Sequence, residues 1–339
     1  MPLQTVDKDF INDLYDRSEG WLNTHGRHGN AVIWIKTFVL LAVYIVSFLW
    51  FCLFSSNFQE FLLSAFVLGL CHVLIPVNIA HDAIHGSFSS NKFLNSLAAA
   101  TLYLSGSNAY MYKRKHLEAH AEKENGSKKM AIEVQGLLLK QSKGKNLPAV
   151  FYIFYSEYLI LIRDFQLFFS DKEKIPAIEY GKLFLLKAIY VFAFLVLPFI
   201  FLDLSYWQIL SGILLMYLIV TIALVIILLM PTEKMENARA SETSSLPAGR
   251  HGLNNRWAIE VLEHNVDFSP NSNFLNLIAG GANLNVVHYL FPNVNHVHYN
   301  HLAKLIEETA RDHHLVYRKQ SVKDVFGIHF NYLKGIQKG

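Results

Sequence analysis

Three pairs of potential metal ligands in this sequence have the same spacing, four residues. They are His81 and His85, His116 and His120, and Glu260 and His264, in the segments AHDAIHG, KRKHLEAHAEKEN and WAIEVLEHNVDF. On a helix, residues four apart share one face with Cβ atoms about 5–6 Å apart, close enough to bind one metal ion. One such pair is weak evidence, but three pairs together with His288 in NVVHYLFP predict a metal site built by several helices.

The donor types narrow the chemistry of this site. Imidazole combined with carboxylate suits iron, zinc, copper or nickel. Ligands from several helices can hold two metal ions, as in carboxylate-bridged di-iron bundles. Three neighbours are expected to support the ligands. Asp82 would accept a hydrogen bond from a histidine, cap local structure or bind the metal directly. Tyr289 would donate a hydrogen bond to a metal-bound oxygen or pack, and Asn285 would lie beside His288.

The composition indicates a membrane protein. Of 339 residues, 52% are hydrophobic and 17% are charged, whereas soluble domains carry about a quarter charged residues. Windows of about 20 apolar residues cross a hydrocarbon core of about 30 Å as helices. Such windows are predicted at residues 37–54, 61–79, 183–202 and 207–230. No cleavable signal peptide is expected at the start of the chain.

The distribution of lysine and arginine predicts the topology. The turns at residues 55–60 and 203–206 contain neither residue, whereas the middle segment is rich in both. The positive-inside rule therefore places residues 1–36, 81–182 and 231–339 in the cytoplasm. The predicted fold is an all-α integral membrane protein, a single domain of four transmembrane helices in two hairpins. Its cytoplasmic helical cap carries the histidine-rich site.

One segment of the cytoplasmic part has two interpretations. Residues 149–169 are apolar but include Glu157, Arg163 and Asp164. They predict either an amphipathic helix lying on the bilayer or a helix buried within the cytoplasmic part.

Three motifs resemble those of the membrane fatty acid desaturase family. They are AHDAIHGSFSSNKFLN, KRKHLEAHAEKEN and GGANLNVVHYLFPNVNHVHY. The likeness is strongest to bacterial acyl-lipid or acyl-CoA desaturases and to front-end desaturases, and it runs along most of the chain. It implies a non-haem di-iron centre at the cytoplasmic face of a bacterial membrane. This centre would use O₂ to abstract hydrogen from an acyl chain on a lipid, CoA or a carrier protein.

The sequence departs from the family pattern at the expected ligands. The second motif of the family usually ends in two histidines, but here His120 precedes Ala121. The third usually reads Gln-x-x-His-His, but here Tyr289 follows His288. Many relatives also carry a histidine after the last span, where this chain has Pro231.

One departure adds potential ligands. Glu260 and His264 resemble, in position, a metal-binding Asn and His of stearoyl-type desaturases. Glu260 would then be either an anionic ligand or a partner that orients a histidine.

Several functions stay open at this point. The altered ligand set fits a desaturase, a hydroxylase or an acetylenase with two irons, a one-metal variant, or an inactive relative that binds lipid or regulates a partner. The chain has no His-Pro-Gly-Gly haem motif and no glycine-rich dinucleotide motif. Electrons are therefore expected from a separate ferredoxin or cytochrome b5. A nucleic-acid partner is not expected, because the net charge is only +3.

Overall fold

The chain forms two compact units. The computed structural model describes residues 9–124, 156, 158–171, 174–229, 252–321 and 323–324. The membrane unit contains the described residues within 29–118 and 141–227. The terminal unit contains those within 1–28, 119–140 and 228–339. The expectation that the whole chain is one domain stays a prediction.

Helices dominate both units. The α-helices are α1 (Phe10–His25), α2 (Ala31–Leu49), α3 (Phe58–Ile75), α4 (His81–Ile84), α5 (Lys92–Ala99), α6 (Ala109–Glu124), α7 (Arg163–Ser170), α8 (Ala177–Val191), α9 (Leu197–Phe201), α10 (Tyr206–Leu229), α11 (Gly252–His264), α12 (Asn273–Ala279), α13 (Asn285–Leu290) and α14 (Tyr299–Asp312). The π-helical turns are Trp50–Phe54, Pro76–Ala80, Tyr158–Ile162 and Phe192–Val196, and the 3₁₀ turns are Ala100–Ser105 and His296–His298. Strands β1 (Asp267–Phe268) and β2 (Lys319–Gln320) pair in parallel.

Four continuous helical segments of the membrane unit are long and apolar enough to cross a bilayer. They are Ala31–Phe54, Phe58–Ile84, Ala177–Phe201 and Tyr206–Leu224. Large apolar side chains on these segments are exposed, as lipid contact requires. Examples are Phe38, Leu63, Phe184 and Trp207. The prediction of an all-α membrane protein with four membrane helices is confirmed.

The first span begins six residues before the predicted start at residue 37. The side chain of Asn30 caps α2 by accepting a hydrogen bond from the backbone N–H of Val32 at 3.0 Å. Lys36, which the apolar window excluded, lies inside the helix, and its Nζ donates to Asn78 Oδ1 at 2.7 Å. The lysine is tolerated because Asn78, in the π-helical turn that follows α3, accepts its hydrogen bond.

Close backbone contact joins the second and fourth spans. A Cβ atom on Gly69 would lie 2.7 Å from the carbonyl oxygen of Met216, and one on Gly212 would overlap the ring of Phe61. Phe61 also stacks on Phe51 of the first span, with ring centroids 4.7 Å apart. Small residues at such contacts allow membrane helices to pack closely.

The terminal unit has its own core. Buried apolar side chains of α1, α11, α13 and α14 form one cluster, which includes Leu14, Leu262, Val287 and Leu302. The buried residues of α14 recur at three- and four-residue intervals, the pattern of an amphipathic helix. This core holds α13, which carries His288, against the remainder of the unit.

The terminal unit also contains a buried carboxyl group, that of Asp267. Asp267 is 0% exposed. It accepts hydrogen bonds from the backbone N–H of Val286 and from the hydroxyl of Tyr317, both at 2.7 Å. Burial raises the pKa of Asp267 to about 7, although both hydrogen bonds oppose the shift.

Candidate metal centre

A π-helical turn precedes His81 and His85 in the chain. Helix α3 ends at Ile75, the turn Pro76–Ala80 follows, and α4 begins at His81. Proline supplies no N–H to the helix, and π turns of this kind are frequent at functional sites. The amide of Asn78 donates to the carbonyl of Leu74 at 2.8 Å while its oxygen accepts from Lys36. These bonds fix the turn that immediately precedes His81.

His81, His85 and His116 converge within the membrane unit. One ring nitrogen from each lies within 4.8 Å of the others, and the Nε2 atoms of His85 and His116 are 2.8 Å apart. The three rings meet edge to face, with interplanar angles of 68–75°. We call these three residues the histidine trio. The three nitrogens are close enough together for one cation to bind all of them.

Helix α6, which carries His116, is held by ion pairs on both sides of that residue. Asp171 at the end of α7 accepts from Arg114 and Lys115, each at 3.1 Å. Both basic side chains also reach Glu118, at 3.0 and 2.8 Å. Burial would raise the pKa of Glu118, but the hydrogen bonds from Lys115 and Arg114 outweigh it and lower the pKa.

A second histidine group lies in the terminal unit. His120 follows His116 by one turn on α6, and its Nε2 lies 2.9 Å from Nε2 of His288. His288 is buried on α13. We call His120 and His288 the histidine pair. As in the trio, two imidazole nitrogens approach closely enough to bind the same ion.

Two tyrosines surround the histidine pair. The hydroxyl of Tyr299 lies 3.2 Å from Nδ1 of His288, so that a hydrogen bond orients the ring whose Nε2 faces His120. Sequence reasoning missed Tyr299, although it ends the HVHY motif. Tyr289 packs against both rings, with centroids 5.1 and 5.6 Å apart. Burial raises the pKa of Tyr289 to about 12, which keeps its hydroxyl protonated.

The remaining predicted site residues have other surroundings. The side chain of Glu260 on α11 is 41% exposed and pairs with Arg256 at 3.1 Å, so its role as a ligand stays a prediction. His264 ends the same helix, but its side chain lies outside the described part, as does that of Ala121. Asp82 is 1% exposed, and its backbone carbonyl accepts a hydrogen bond from the hydroxyl of Ser87. The amide of Asn285 donates to Asn265 at 2.9 Å.

A cleft of about 380 Å³ opens beside His120 within the terminal unit. Tyr289, Trp257, Tyr15 and Arg27 are among the residues that line it. Of the histidine pair, His120 lines this cleft, whereas His288 is buried.

The donor set fits a transition metal. Both groups present imidazole nitrogens, which suit iron, zinc, copper and nickel. The ring of His288 has its second nitrogen engaged by a hydroxyl, as metal-bound imidazoles normally do. The geometry therefore supports metal binding at the trio and at the pair.

Comparison with known proteins identifies desaturases that match most of this chain. The chain is 25% identical over 338 residues to the sn-1 linoleoyl-lipid 6-desaturase of Synechocystis sp., covering 93% of this chain and 91% of that protein. It is 26% identical to the enzyme of the same name from Arthrospira platensis, covering 84% and 79% of the two chains. An acyl-lipid (8-3)-desaturase of Physcomitrium patens is 24% identical, covering 84% and 62%. No solved structure matches the chain.

The family assignment follows from a match over most of the chain. The model of the fatty acid desaturase family matches residues 56–321, a stretch that includes the second, third and fourth spans as well as the histidine trio and the histidine pair. The resemblance noted in the sequence motifs is confirmed: this chain belongs to the fatty acid desaturase family.

Proposed function

We propose that this protein is an O₂-dependent, iron-containing membrane desaturase that introduces a double bond into the acyl chain of a lipid. The observation that carries the proposal is the convergence of the histidine trio at the end of a membrane span. The names of the relatives, acyl-lipid and linoleoyl-lipid desaturases, support a lipid-linked acyl substrate over a CoA or carrier-protein thioester.

We further propose that each histidine group binds one iron ion. The trio supplies three imidazole ligands, and the pair supplies two. Glu260 and His264, on a helix of the same unit as the pair, stay the predicted additional ligands. The alternative is a one-metal enzyme in which only the trio binds, because Ala121 and Tyr289 replace two histidines of the usual pattern.

The bound iron would supply the activation of O₂ that breaks unreactive C–H bonds. Removal of two hydrogen atoms from adjacent carbons provides two electrons and two protons. A separate donor of the ferredoxin or cytochrome b5 type provides two more electrons, and with two further protons O₂ becomes two water molecules. The imidazoles hold the metal, Tyr299 orients His288, and the apolar spans keep water from the acyl chain. The lysine-rich middle segment supports a site on the cytoplasmic side of the membrane.

Expression in a host that lacks polyunsaturated lipids tests the proposal. Lipids from cells supplied with oleate or linoleate would be analysed by gas chromatography and mass spectrometry, and iron would be counted in the purified chain. We expect a new double bond with the wild type and loss of the product to background with His116→Ala. His314→Asn is the matched control, because His314 is exposed and has a positive φ of 56° that asparagine tolerates.

The possible products separate the alternatives. A hydroxylated or acetylenic acyl chain would assign the protein to those reactions instead. One iron per chain with full activity would support the one-metal enzyme. An inactive relative would give no product and bind lipid without iron. Unchanged product from His116→Ala would refute the role of the trio.

A further inference from the structure

A buried lysine lies within the third span. The ammonium group of Lys187 is 2.8 Å from Asp164 Oδ2, and both side chains are at most 10% exposed. The same group donates to the backbone carbonyls of Gly106 and Ile160. All three N–H bonds of the ammonium therefore have acceptors. A charged residue at membrane depth is costly, and its presence there points to a role beyond packing.

The carboxylate of Asp164 extends this contact to the start of α6. Its Oδ2 also accepts a hydrogen bond from the backbone N–H of Asn108 at 2.9 Å. Asn108 precedes α6 and caps it, since its Oδ1 accepts from the N–H of Met111 at 3.0 Å. His116 follows Asn108 by eight residues, or about 12 Å along the helix axis. One carboxylate thus joins a membrane helix to the helix that supplies the third ligand of the trio.

The turn before α6 has little freedom to move. Gly106 has a positive φ of 75°. A Cβ atom there would lie 2.6 Å from Cγ2 of Ile160 and 3.0 Å from the ring of Tyr190. Its carbonyl is the one that Lys187 binds. The backbone at Gly106 is therefore pressed against two neighbours and tethered to a third.

We propose that Lys187 and Asp164 are positioning residues for the metal centre. By fixing Gly106 and Asn108, they set the axial position and rotation of α6, so that His116 meets His81 and His85. The proposal rests on the proposed function, because it assumes that the trio binds metal. A buried ion pair is in itself weak evidence for stability, since apolar replacement of both partners is often neutral. A positioning role predicts instead that such a replacement spares the fold and impairs the site.

The test uses the full-length protein purified in detergent. Lys187→Met combined with Asp164→Leu removes both charges and leaves no unpaired buried ion. Lys182→Met is the matched control, because Lys182 lies on the same helix with a 48% exposed side chain. Co²⁺ serves as the probe because its visible absorption reports ligand geometry. Hydrogen exchange of the peptide spanning residues 108–118 reports the order of α6 without any metal.

We expect the double variant to melt close to the wild type and its amide hydrogens to exchange faster only in the α6 peptide. We expect it to bind Co²⁺ about 10- to 100-fold more weakly, the effect of losing an outer partner of a metal ligand. Unchanged Co²⁺ affinity and spectrum would overturn the positioning role, as would unchanged exchange or faster exchange in every span. Absence of Co²⁺ binding by the wild type would instead refute the proposed metal site. In that event, unchanged hydrogen exchange of the α6 peptide in the double variant would separately refute the anchoring of α6 by Lys187 and Asp164.

Discussion

At the scale of single residues, the contact between Tyr299 and His288 offers a direct test of the histidine pair. The Tyr299 ring is 2% exposed, so phenylalanine would keep its packing and remove only the hydroxyl near Nδ1 of His288. We expect Tyr299→Phe to weaken Co²⁺ binding at the pair about 10- to 100-fold, measured by absorption titration. Tyr15→Phe, which removes a 3.3 Å hydrogen bond to the carbonyl of Leu290, is the control. Equal affinity in both variants would exclude a role for Tyr299 in orienting His288.

Asp267 gives a second prediction at this scale. Burial raises its pKa in the folded chain to about 7, above the usual value of about 3.9. The folded state thus binds more protons than the unfolded state between these values, and stability falls as pH rises from about 4 to 7. We expect Asp267→Asn to gain stability relative to the wild type as the pH rises from 5 to 8, by roughly 3 kcal/mol, because about two units separate pH 5 from the pKa of Asp267.

The difference between the two melting curves isolates Asp267 from the histidines, because they titrate in both proteins. Differential scanning fluorimetry in detergent between pH 5 and 8 measures it. A difference that does not change with pH would show that Asp267 is already ionised in the folded chain at pH 5.

At the scale of helices and turns, the sequence predicted where the elements lie better than how their backbones bond. The apolar window ended the second span at residue 79, just before His81. The helical segment continues to Ile84, but through the π turn Pro76–Ala80. That turn depends on Lys36, which reaches Asn78 across 42 residues of sequence. Local periodicity carries no information about such a partner.

The contact between the second and fourth spans is tested by adding a methyl group. A Cβ atom on Gly69 meets backbone at 2.7 Å, whereas nothing lies within 4 Å of one on Gly181 of α8. We expect Gly69→Ala to destabilise the protein by about 1–3 kcal/mol through overpacking. Gly181→Ala should stabilise it by about 0.4–1 kcal/mol. Thermal unfolding in detergent compares the melting temperatures of the two variants. Equal melting temperatures would mean that the second and fourth spans accommodate the added methyl group without loss of stability.

At the scale of the whole molecule, hydropathy was sufficient for the four spans because a membrane helix is apolar over most of its length, on the side that faces lipid and on the side that packs against other helices. It did not anticipate the partner of Lys187, since Asp164 belongs to another helix. The spacing of Glu260 did not show that it pairs with Arg256. A spacing of four residues on a helix favours an ion pair and a shared metal ion equally. The contacts that shape each histidine group join segments far apart in sequence, and spacing alone predicts only the pairs on one helix.

Metal bound by the folded chain alone must stabilise the whole protein by mass action. An ion present at about 100 times its Kd contributes about 2.7 kcal/mol. We therefore expect a chelator to lower the melting temperature of the metal-loaded protein by roughly 5 °C, measured by scanning fluorimetry. His85→Ala combined with His288→Ala removes a ligand from each histidine group and should melt near the chelated wild type. The chelator should not shift this variant further, whereas His314→Asn should respond like the wild type. An equal shift in all three proteins would place the stabilising ion outside both histidine groups.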